Sequence, residues 1–381
     1  MHLAIIRQRY NPFGGAERFI ERAVESLRER GTRVTVITRS WQGASTVGEV
    51  EVCNPFYLGK IWRDWSFARD ALSTAHARQY DFIQSHERIV GCDIYRAGDG
   101  VHAEWLAVRS RLQNPVERLL TRLSPYHNFV LARERRMFAS PRLRAVICNS
   151  EMVRDEIQAH FSLPSEKLHV VYSGVDTNRF HPGLKTTIGP ATRRQLGIPA
   201  GVPIALFVGS GFLRKGLSVA IQALARTSNG VHLLVVGADR HSERYARLAS
   251  ELGVAKRLHM MGGRENVLEY LGCADFFVLP TLYDPFPNAA LEALACGLPV
   301  ITSTKCGAAP IIARGHCGRI HDALDISEFA RSMDALGSAI ENNQMSVNAR
   351  RAAEGLSLKT MAANMLELYG KLGFSPAPTR A

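Results

Sequence analysis

A chain of 381 residues is long enough for two domains of ordinary size, and 46% hydrophobic with 22% charged content excludes a disordered polymer. No apolar run approaches the roughly 20 residues needed to span a bilayer, and Arg7 and Arg9 interrupt the apolar start too early for a signal peptide, so a cytosolic protein is expected. The net charge of +12, from 47 Lys and Arg against 35 Asp and Glu, points to an anionic partner: nucleic acid, a membrane surface or a phosphorylated substrate.

Residues 3–6 read as a short buried strand and 11–15 as a loop. Residues 16–30 read as a helix, with Phe19, Ile20, Ala23, Val24 and Leu27 at helical spacing and Gly31 as its C′ residue. A strand at 34–38 completes a β-loop-α-β opening, which predicts a parallel sheet with right-handed crossovers. Further strands are expected at 81–84, 93–95 and 145–148. Between the last two lies a basic, mostly helical stretch, 102–138. It holds seven Arg (109, 111, 118, 122, 133, 135, 136) against three Glu (104, 117, 134), interleaved with Trp105, Leu112, Leu119, Leu120, Leu123, Tyr126 and Phe129.

A strand at 168–171 is followed by a turn-rich segment, 172–182, and then by the polar stretch 185–203, near which a domain boundary fits. A second alternation then begins: strands at 204–208, 231–236, 258–261 and 275–279, helices at 216–226, 241–252 and 266–271. Residues 282–301 place Asp284 in a Pro-rich turn, Pro287 at a first helical position and Glu292 inside a small-residue helix. Gly297, Leu298 and Pro299 stop that helix, and Val300 and Ile301 open a buried strand. Helical patterns run from 327 to about 370, and the Pro-rich tail 374–381 is expected to fray. Two similar α/β halves predict two doubly wound parallel sheets facing across a cleft.

Four loops carry the chemistry. Asp284 and Glu292 bracket a helix N-terminus, where exposed N–H groups and the macrodipole favour an anion. Carboxylates repel phosphate but accept hydrogen bonds from hydroxyls, so the combination suits a sugar nucleotide. The stretch Gly209-Ser-Gly-Phe-Leu-Arg-Lys-Gly216 follows a strand and opens a helix. Its glycines let backbone approach a phosphate, and Arg214 and Lys215 supply cations for the charge on a leaving diphosphate. It is neither a Walker A loop nor a dinucleotide Gly-x-Gly-x-x-Gly, since Arg214 stands at the third Gly position. Gly14 and Gly15 follow the first strand and can present N–H groups to a phosphate. Asp99 lies in a Gly-flanked loop after a strand, the edge at which ligands bind in open α/β sheets. Gly263 and Arg264 follow another strand and can read a nucleobase edge. Each loop alone also fits an ordinary βα turn. His86, Glu87 and His102 lie near Asp99 in sequence, although a lone His is more often structural. Seven cysteines without a Cys-x-x-Cys pair read as reduced structural thiols and not as a metal site.

As a set, these segments resemble the retaining glycosyltransferases of family 4, of the GT-B fold, over nearly the whole chain. The Gly-Gly loop, Tyr172-Ser-Gly-Val-Asp-x-x-x-Phe180, Gly-x-x-x-x-Arg-Lys-Gly and the acidic-x7-Glu segment run in the family's order. Within the family, Tyr10-Asn-Pro-Phe-Gly-Gly-Ala-Glu-Arg18, Asp93-Ile-Tyr-Arg-Ala-Gly-Asp99 and the basic stretch look like the lipopolysaccharide core glucosyltransferases. The resemblance implies an α/β fold of two Rossmann-like domains: 1–178 on the acceptor and membrane side, 179–355 for the nucleotide sugar, and a helix at 356–374 crossing back to the first. It implies transfer of a hexose, glucose from UDP-glucose, to a lipopolysaccharide inner-core heptose at the inner face of the inner membrane. It assigns Arg214 and Lys215 to the diphosphate, Glu292 to the ribose hydroxyls, Asp284 to the donor sugar, and Asp99 to the reacting sugar and acceptor. Gly14 and Gly15 fall at the diphosphate and Gly263 and Arg264 by the base. Gly211, Phe286, Pro287 and Asn288 complete the donor-binding set. It implies no metal and no cofactor, an anionic membrane surface as partner through 102–138, a lipid-linked oligosaccharide as acceptor, and no nucleic acid. The family usually has Glu where this chain has Asp284; the shorter side chain shifts the sugar contact by about 1 Å or changes its partner. Donors such as GDP-mannose or a UDP-N-acetylhexosamine, with another glycolipid or polysaccharide as acceptor, therefore stay open. A Rossmann oxidoreductase is disfavoured by the missing third Gly, and a nucleic-acid binder by the aliphatic residues within the basic stretch.

Overall fold

The computed structural model describes residues 2–10, 32–41 and 49–373. It divides into two compact units, Met1–Gly174 with Leu358–Ala381, and Val175–Ser357. The expected loop at 11–15, with Gly14 and Gly15, the expected helix at 16–30 and the tail 374–381 lie outside the described residues.

The first unit is built on β1 (His2–Ile6), β3 (Arg33–Thr38), β5 (Glu49–Val52), β6 (Phe82–Ser85), β7 (Ile94–Ala97), β8 (Ala145–Cys148) and β9 (Leu168–Val170). β2 (Arg9–Tyr10) and β4 (Ser40–Trp41) form a separate short pair. Among the described residues the sheet runs β5-β3-β1-β6-β7-β8-β9, all neighbours parallel. Alternation along β1 splits the core in two. Ala4 and Ile6 join a cluster with Phe67, Ala71, Met137, Val153 and Ile157, contributed by helices Gly59–Ala77, Pro125–Phe138 and Glu151–Phe161. Leu3 and Ile5 face Met361, Met365, Leu368 and Tyr369 of the helix Leu358–Lys371. Burial on both faces explains why these strands read as continuous apolar runs. The last helix is pinned by Tyr369, whose buried hydroxyl donates to Gln84 Oε1 at 2.6 Å.

The second unit holds β10 (Ile204–Val208), β11 (His232–Val236), β12 (Leu258–Gly262), β13 (Phe276–Leu279), β14 (Val300–Ser303) and β15 (Gly318–His321), in the order β12-β11-β10-β13-β14-β15 and parallel throughout. Both sheets are doubly wound. The strand order reverses between β1 and β6 in the first and between β10 and β13 in the second.

Several details depart from the expectations. The chain divides at 174/175 and 357/358, where the sequence placed 178/179 and 355/356. The reason is local: Val175 N–H donates to Leu356 O at 2.9 Å, and Val175 bridges Ser357, so the chain enters and leaves the second unit side by side. The polar stretch 185–203 is no linker. It holds helices Leu184–Thr187 and Gly189–Gln195, and Arg193 ties them in through Asp275 at 2.6 Å and Cys273 O at 2.9 Å. Part of the expected loop 209–215 is the helical turn Phe212–Lys215. Pro287 is the N-cap of the helix Asn288–Ala295, one place before its first residue. Strands β5 and β15 and the helix Gly59–Ala77 were not anticipated.

Candidate active site

At the switch point of the second sheet the loops after β10 and β13 are neighbours, because their strands pair directly. Gly216 sets how closely they approach. Its φ is +76°, and a Cβ there would lie 1.9 Å from Pro280 O, so only glycine fits. Three hydrogen bonds then join the loops. Leu282 N–H donates to Arg214 O at 2.8 Å, Thr281 Oγ1 to the same oxygen at 3.0 Å, and Arg214 Nη1 to Tyr283 O at 2.9 Å.

This stitching brings three of the expected site residues into one cluster. Lys215 Nζ pairs with Asp284 Oδ2, and Arg214 Nη1 lies 3.5 Å from the same oxygen. Their exposure is graded: the side chains of Asp284 and Lys215 are 6% and 11% accessible, that of Arg214 39%. The backbone of Asp284 is also fixed. Asp284 N–H donates to Lys305 O at 3.0 Å and Gly307 N–H donates to Asp284 O at 2.8 Å, binding it to the loop after β14. Beneath it the Cys306 thiol is pushed up to about 12 by burial and by the charge of Asp284, so it stays protonated and is no nucleophile. Two cations share one carboxylate, which leaves a net positive, partly exposed cluster suited to an anion with several oxygens.

Among the described residues, the rest of the expected donor set lies in both halves of the second unit. Phe286 is buried, Pro287 caps the helix Asn288–Ala295, and Glu292 lies in its second turn, 8% exposed. Gly211, with φ +74°, is the N-cap of the Phe212–Lys215 turn. Gly263 and Arg264 follow β12, two strands away from β10; Arg264 is exposed and turns back to donate from Nε to Met261 O at 3.0 Å. The sequence reading missed Asp239, whose Oδ2 accepts from Phe212 N–H at 2.9 Å and so orients the turn that carries Arg214 and Lys215. Its signal was an acid two residues beyond a Gly that ends a strand. Thr281 was missed as well.

The first unit has its own polar cluster. Asp99 sits in the loop after β7, 60% exposed, with Arg88 Nη1 at 3.8 Å from Oδ2. Arg88 is held by Glu134, only 2% exposed, at 2.7 Å and donates to Gly100 O at 3.1 Å. Both Glu134 oxygens accept from His102 N–H, at 3.0 and 3.2 Å. The helix Pro125–Phe138 is thereby tied to the loop of Asp99. Burial pushes the His102 imidazole down to about 4, with repulsion from Arg88 and His127 adding to it. His86 is buried, 3.0 Å from Gln84 Nε2, and burial lowers it well below the usual histidine range; it is a neutral structural group. Arg88 had no signal in the sequence, because its partners lie up to 46 residues away. Among the described residues no group of three or more His, Cys, Asp or Glu is placed to hold a metal ion. Among the same residues no helix is long and apolar enough to cross a membrane.

Comparison with known proteins matches both halves. A Glycosyltransferase Family 4 domain covers residues 13–179 and a Glycosyl transferases group 1 domain residues 190–354. The chain is 28% identical over 328 residues to the lipopolysaccharide glucosyltransferase WaaG of Escherichia coli (strain K12), covering 84% of this chain and 85% of that one. It is 26% identical over 331 residues to the lipopolysaccharide core biosynthesis glycosyltransferase LpsE of Rhizobium meliloti (strain 1021), covering 85% of each. The crystal structure of WaaG superposes with a TM-score of 0.84 at 25% identity, over 96% of this chain and 99% of that one. Anabaena Alr3699/HepE, solved in complex with UDP-glucose, shares the fold, with a TM-score of 0.74 at 20% identity over 97% of this chain and 100% of that one. The chain belongs to the GT-B glycosyltransferases, those that join a family 4 domain to a group 1 domain.

Proposed function

We propose that this glycosyltransferase is a retaining hexosyltransferase of lipopolysaccharide core assembly, moving glucose from UDP-glucose to an inner-core heptose at the cytoplasmic face of the inner membrane. The observation that carries the reading is the Arg214–Lys215–Asp284 cluster at the switch point of the second sheet. The names of WaaG and LpsE support the pathway, and the UDP-glucose complex of a protein of the same fold supports the donor.

In this reading Arg214 and Lys215 hold the donor diphosphate and stabilise the charge on departing UDP. Glu292 takes the ribose hydroxyls. Asp284 takes a hydroxyl of the donor sugar and fixes the direction of Lys215. Asp99 takes a hydroxyl of the acceptor. The bond from the anomeric carbon to the phosphate oxygen breaks, the acceptor oxygen bonds to that carbon on the same face, and the acceptor proton passes to the departing phosphate oxygen. No metal or cofactor takes part. The helix Pro115–Leu123, started by an Asn114–Glu117 capping box, leaves Val116, Leu119, Leu120 and Leu123 exposed beside Arg118 and Arg122. That composition suits an anionic leaflet, which attracts each nearby Arg by about 1 kcal/mol. Such a sum gives reversible, peripheral attachment.

The test is consumption of a panel of sugar nucleotides (UDP-glucose, GDP-mannose, UDP-N-acetylglucosamine) with heptose-terminated core lipid, with and without EDTA. UDP-glucose is expected to be used, the product linkage to keep the donor's anomeric configuration by NMR, and chelation to leave the rate unchanged. Lys215→Ala is expected to lower kcat by about 100- to 1,000-fold, as loss of one preorganised donor to a developing anion does. Turnover of another nucleotide sugar would replace the donor; turnover of none would sink the reading.

A further inference from the structure

Outside the site just described, one apolar groove in the first unit has a composition of its own. Leu58, Ile61, Trp62 and Trp65, at the start of the helix Gly59–Ala77, and Phe129 of the helix Pro125–Phe138 line a shallow, open groove of about 410 Å³. Its lip is exposed to a degree unusual for such residues: Phe56 77%, Leu58 76%, Trp65 48% and Trp62 44%. Phe56 stands edge-on to Trp62 at 5.6 Å. Core packing does not account for these side chains, since the same helix buries Phe67, Ala68, Ala71 and Ala75 instead.

The groove is rigidly built. Arg133 Nη1 donates to Asp64 O at 2.9 Å, and Tyr126 donates to Asp64 Oδ2 at 3.3 Å, which locks the two helices together beside it. Cations stack on two of its aromatic walls, Arg69 over Trp65 at 5.0 Å and Arg133 over Phe129 at 5.4 Å, and Lys60 stacks over Tyr126, on the same helix as Phe129, at 5.6 Å. Asp64 and Asp70, on the same helix as the two tryptophans, are each already paired with an arginine at 2.9 Å. An apolar slot with two tryptophans at its mouth and a rim of lysine and arginine is complementary to one thing above others. It matches an anionic amphiphile, with chains for the slot and a phosphate for the rim.

We infer that the Trp62–Trp65–Phe129 groove receives an acyl chain of the anionic membrane leaflet, so that the segment 56–65 enters the bilayer alongside the helix Pro115–Leu123. This rests on the proposal that the basic stretch 102–138 meets the membrane, and adds to it a second element from a different part of the chain. The occupant is bulk leaflet lipid and not the acceptor, so binding needs no lipopolysaccharide precursor.

The experiment uses the full chain and vesicles of phosphatidylethanolamine with phosphatidylglycerol. The Trp41→Phe/Trp105→Phe chain retains Trp62 and Trp65 as its fluorophores. Their emission is expected to shift to the blue on adding vesicles and to be quenched by lipids brominated on the acyl chains. Trp62→Ser/Trp65→Ser, and independently Phe56→Ser/Leu58→Ser, are expected to weaken vesicle co-sedimentation by about tenfold or more, equal to about 1.4 kcal/mol. Both should keep the far-UV circular dichroism and the solution-phase UDP-glucose hydrolysis of the parent chain. The Phe56→Ser/Leu58→Ser pair, more than three-quarters exposed, keeps the test open if the tryptophan variant misfolds. Vesicle binding without quenching, or unchanged in both variants, overturns the groove and leaves the basic stretch standing. No binding by the parent chain overturns both, while hydrolysis of UDP-glucose continues to report on the catalytic reading separately.

Discussion

Asp284 is one carboxylate serving two cations, and its removal has opposite consequences for folding and for donor binding. Asp284→Asn keeps the shape but leaves Lys215, 11% exposed, and Arg214 facing each other without the charge between them. Breaking a buried pair by removing one partner costs about 3–5 kcal/mol, so the variant should melt well below the parent. A diphosphate restores the missing anion. UDP should therefore raise the melting temperature of Asp284→Asn by more than that of the parent at equal concentration, in a thermal-shift titration. A smaller shift would mean that the orienting of Lys215 by Asp284 outweighs its competition with the diphosphate. His102 supports a second expectation. Its imidazole is held down to about 4, whereas a histidine in the unfolded chain takes its proton near 6.5. Between those values the unfolded chain binds the extra proton and the native chain does not, so this contribution is complete above about 6.5 and is lost as the pH falls toward 4. Melting curves at pH 7.5 and 5 should show the loss. His102→Gln should flatten part of it, while the other histidines lowered by burial, among them His86, His232 and His259, keep the remainder. At this scale the cluster was legible in the sequence because Arg214 and Lys215 are adjacent and Asp284 sits in a short acidic motif. Arg88 and Glu134 were not, since a pair made across 46 residues leaves no local pattern.

Among the elements, the turn Phe212–Lys215 shows how little separates a plain βα loop from a site. It is four residues long, capped by Gly211 before it and Gly216 after it, and its position depends on the close approach of Gly216 to Pro280. Gly216→Ala would place a methyl 1.9 Å from a carbonyl oxygen on a backbone with φ +76°, so the loop must move. A cost above about 1 kcal/mol is expected from the backbone alone, and displacement of Lys215 should raise KM for the donor and lower kcat together. Steady-state kinetics with UDP-glucose checks this; normal kinetics would show that the two loops are not coupled. The buried strands were legible as apolar runs, whereas the Asn114–Glu117 capping box, which starts a new helix inside the basic stretch, went unread. The helix Gly59–Ala77 was invisible for a physical reason. Its largest apolar residues, Trp62 and Trp65, point to solvent and its buried face is mostly alanine, so the periodicity that announces an amphipathic helix is inverted. Residues 184–195 misled through polarity, because Arg193 is a buried-side anchor and not a linker charge.

For the whole molecule, the decisive fact is that the chain does not end where its second sheet ends. After Ser357 it returns to the first unit, and the helix Leu358–Lys371 closes one face of that unit's sheet with Met361, Met365, Leu368 and Tyr369, each 3% exposed or less. Burial of side chains this size stabilises by roughly 1.5–3 kcal/mol each, and their sum is comparable to the roughly 5–15 kcal/mol that holds a typical domain folded. A chain cut after Ser357 should thus lose the first unit and keep the second. Hydrogen exchange tests the separation: amides of β1, β6, β7 and β8 should lose protection, while those of β10, β11, β13 and β14 keep it. The milder Tyr369→Phe removes the 2.6 Å hydrogen bond to Gln84 and leaves that buried oxygen without its donor, at about 1–3 kcal/mol. Its exchange should rise in the first unit only. Equal loss in both units would show that they fold as one cooperative body, and the second sheet, with its Arg214–Lys215–Asp284 cluster, would then depend on a helix whose buried face packs on the first sheet.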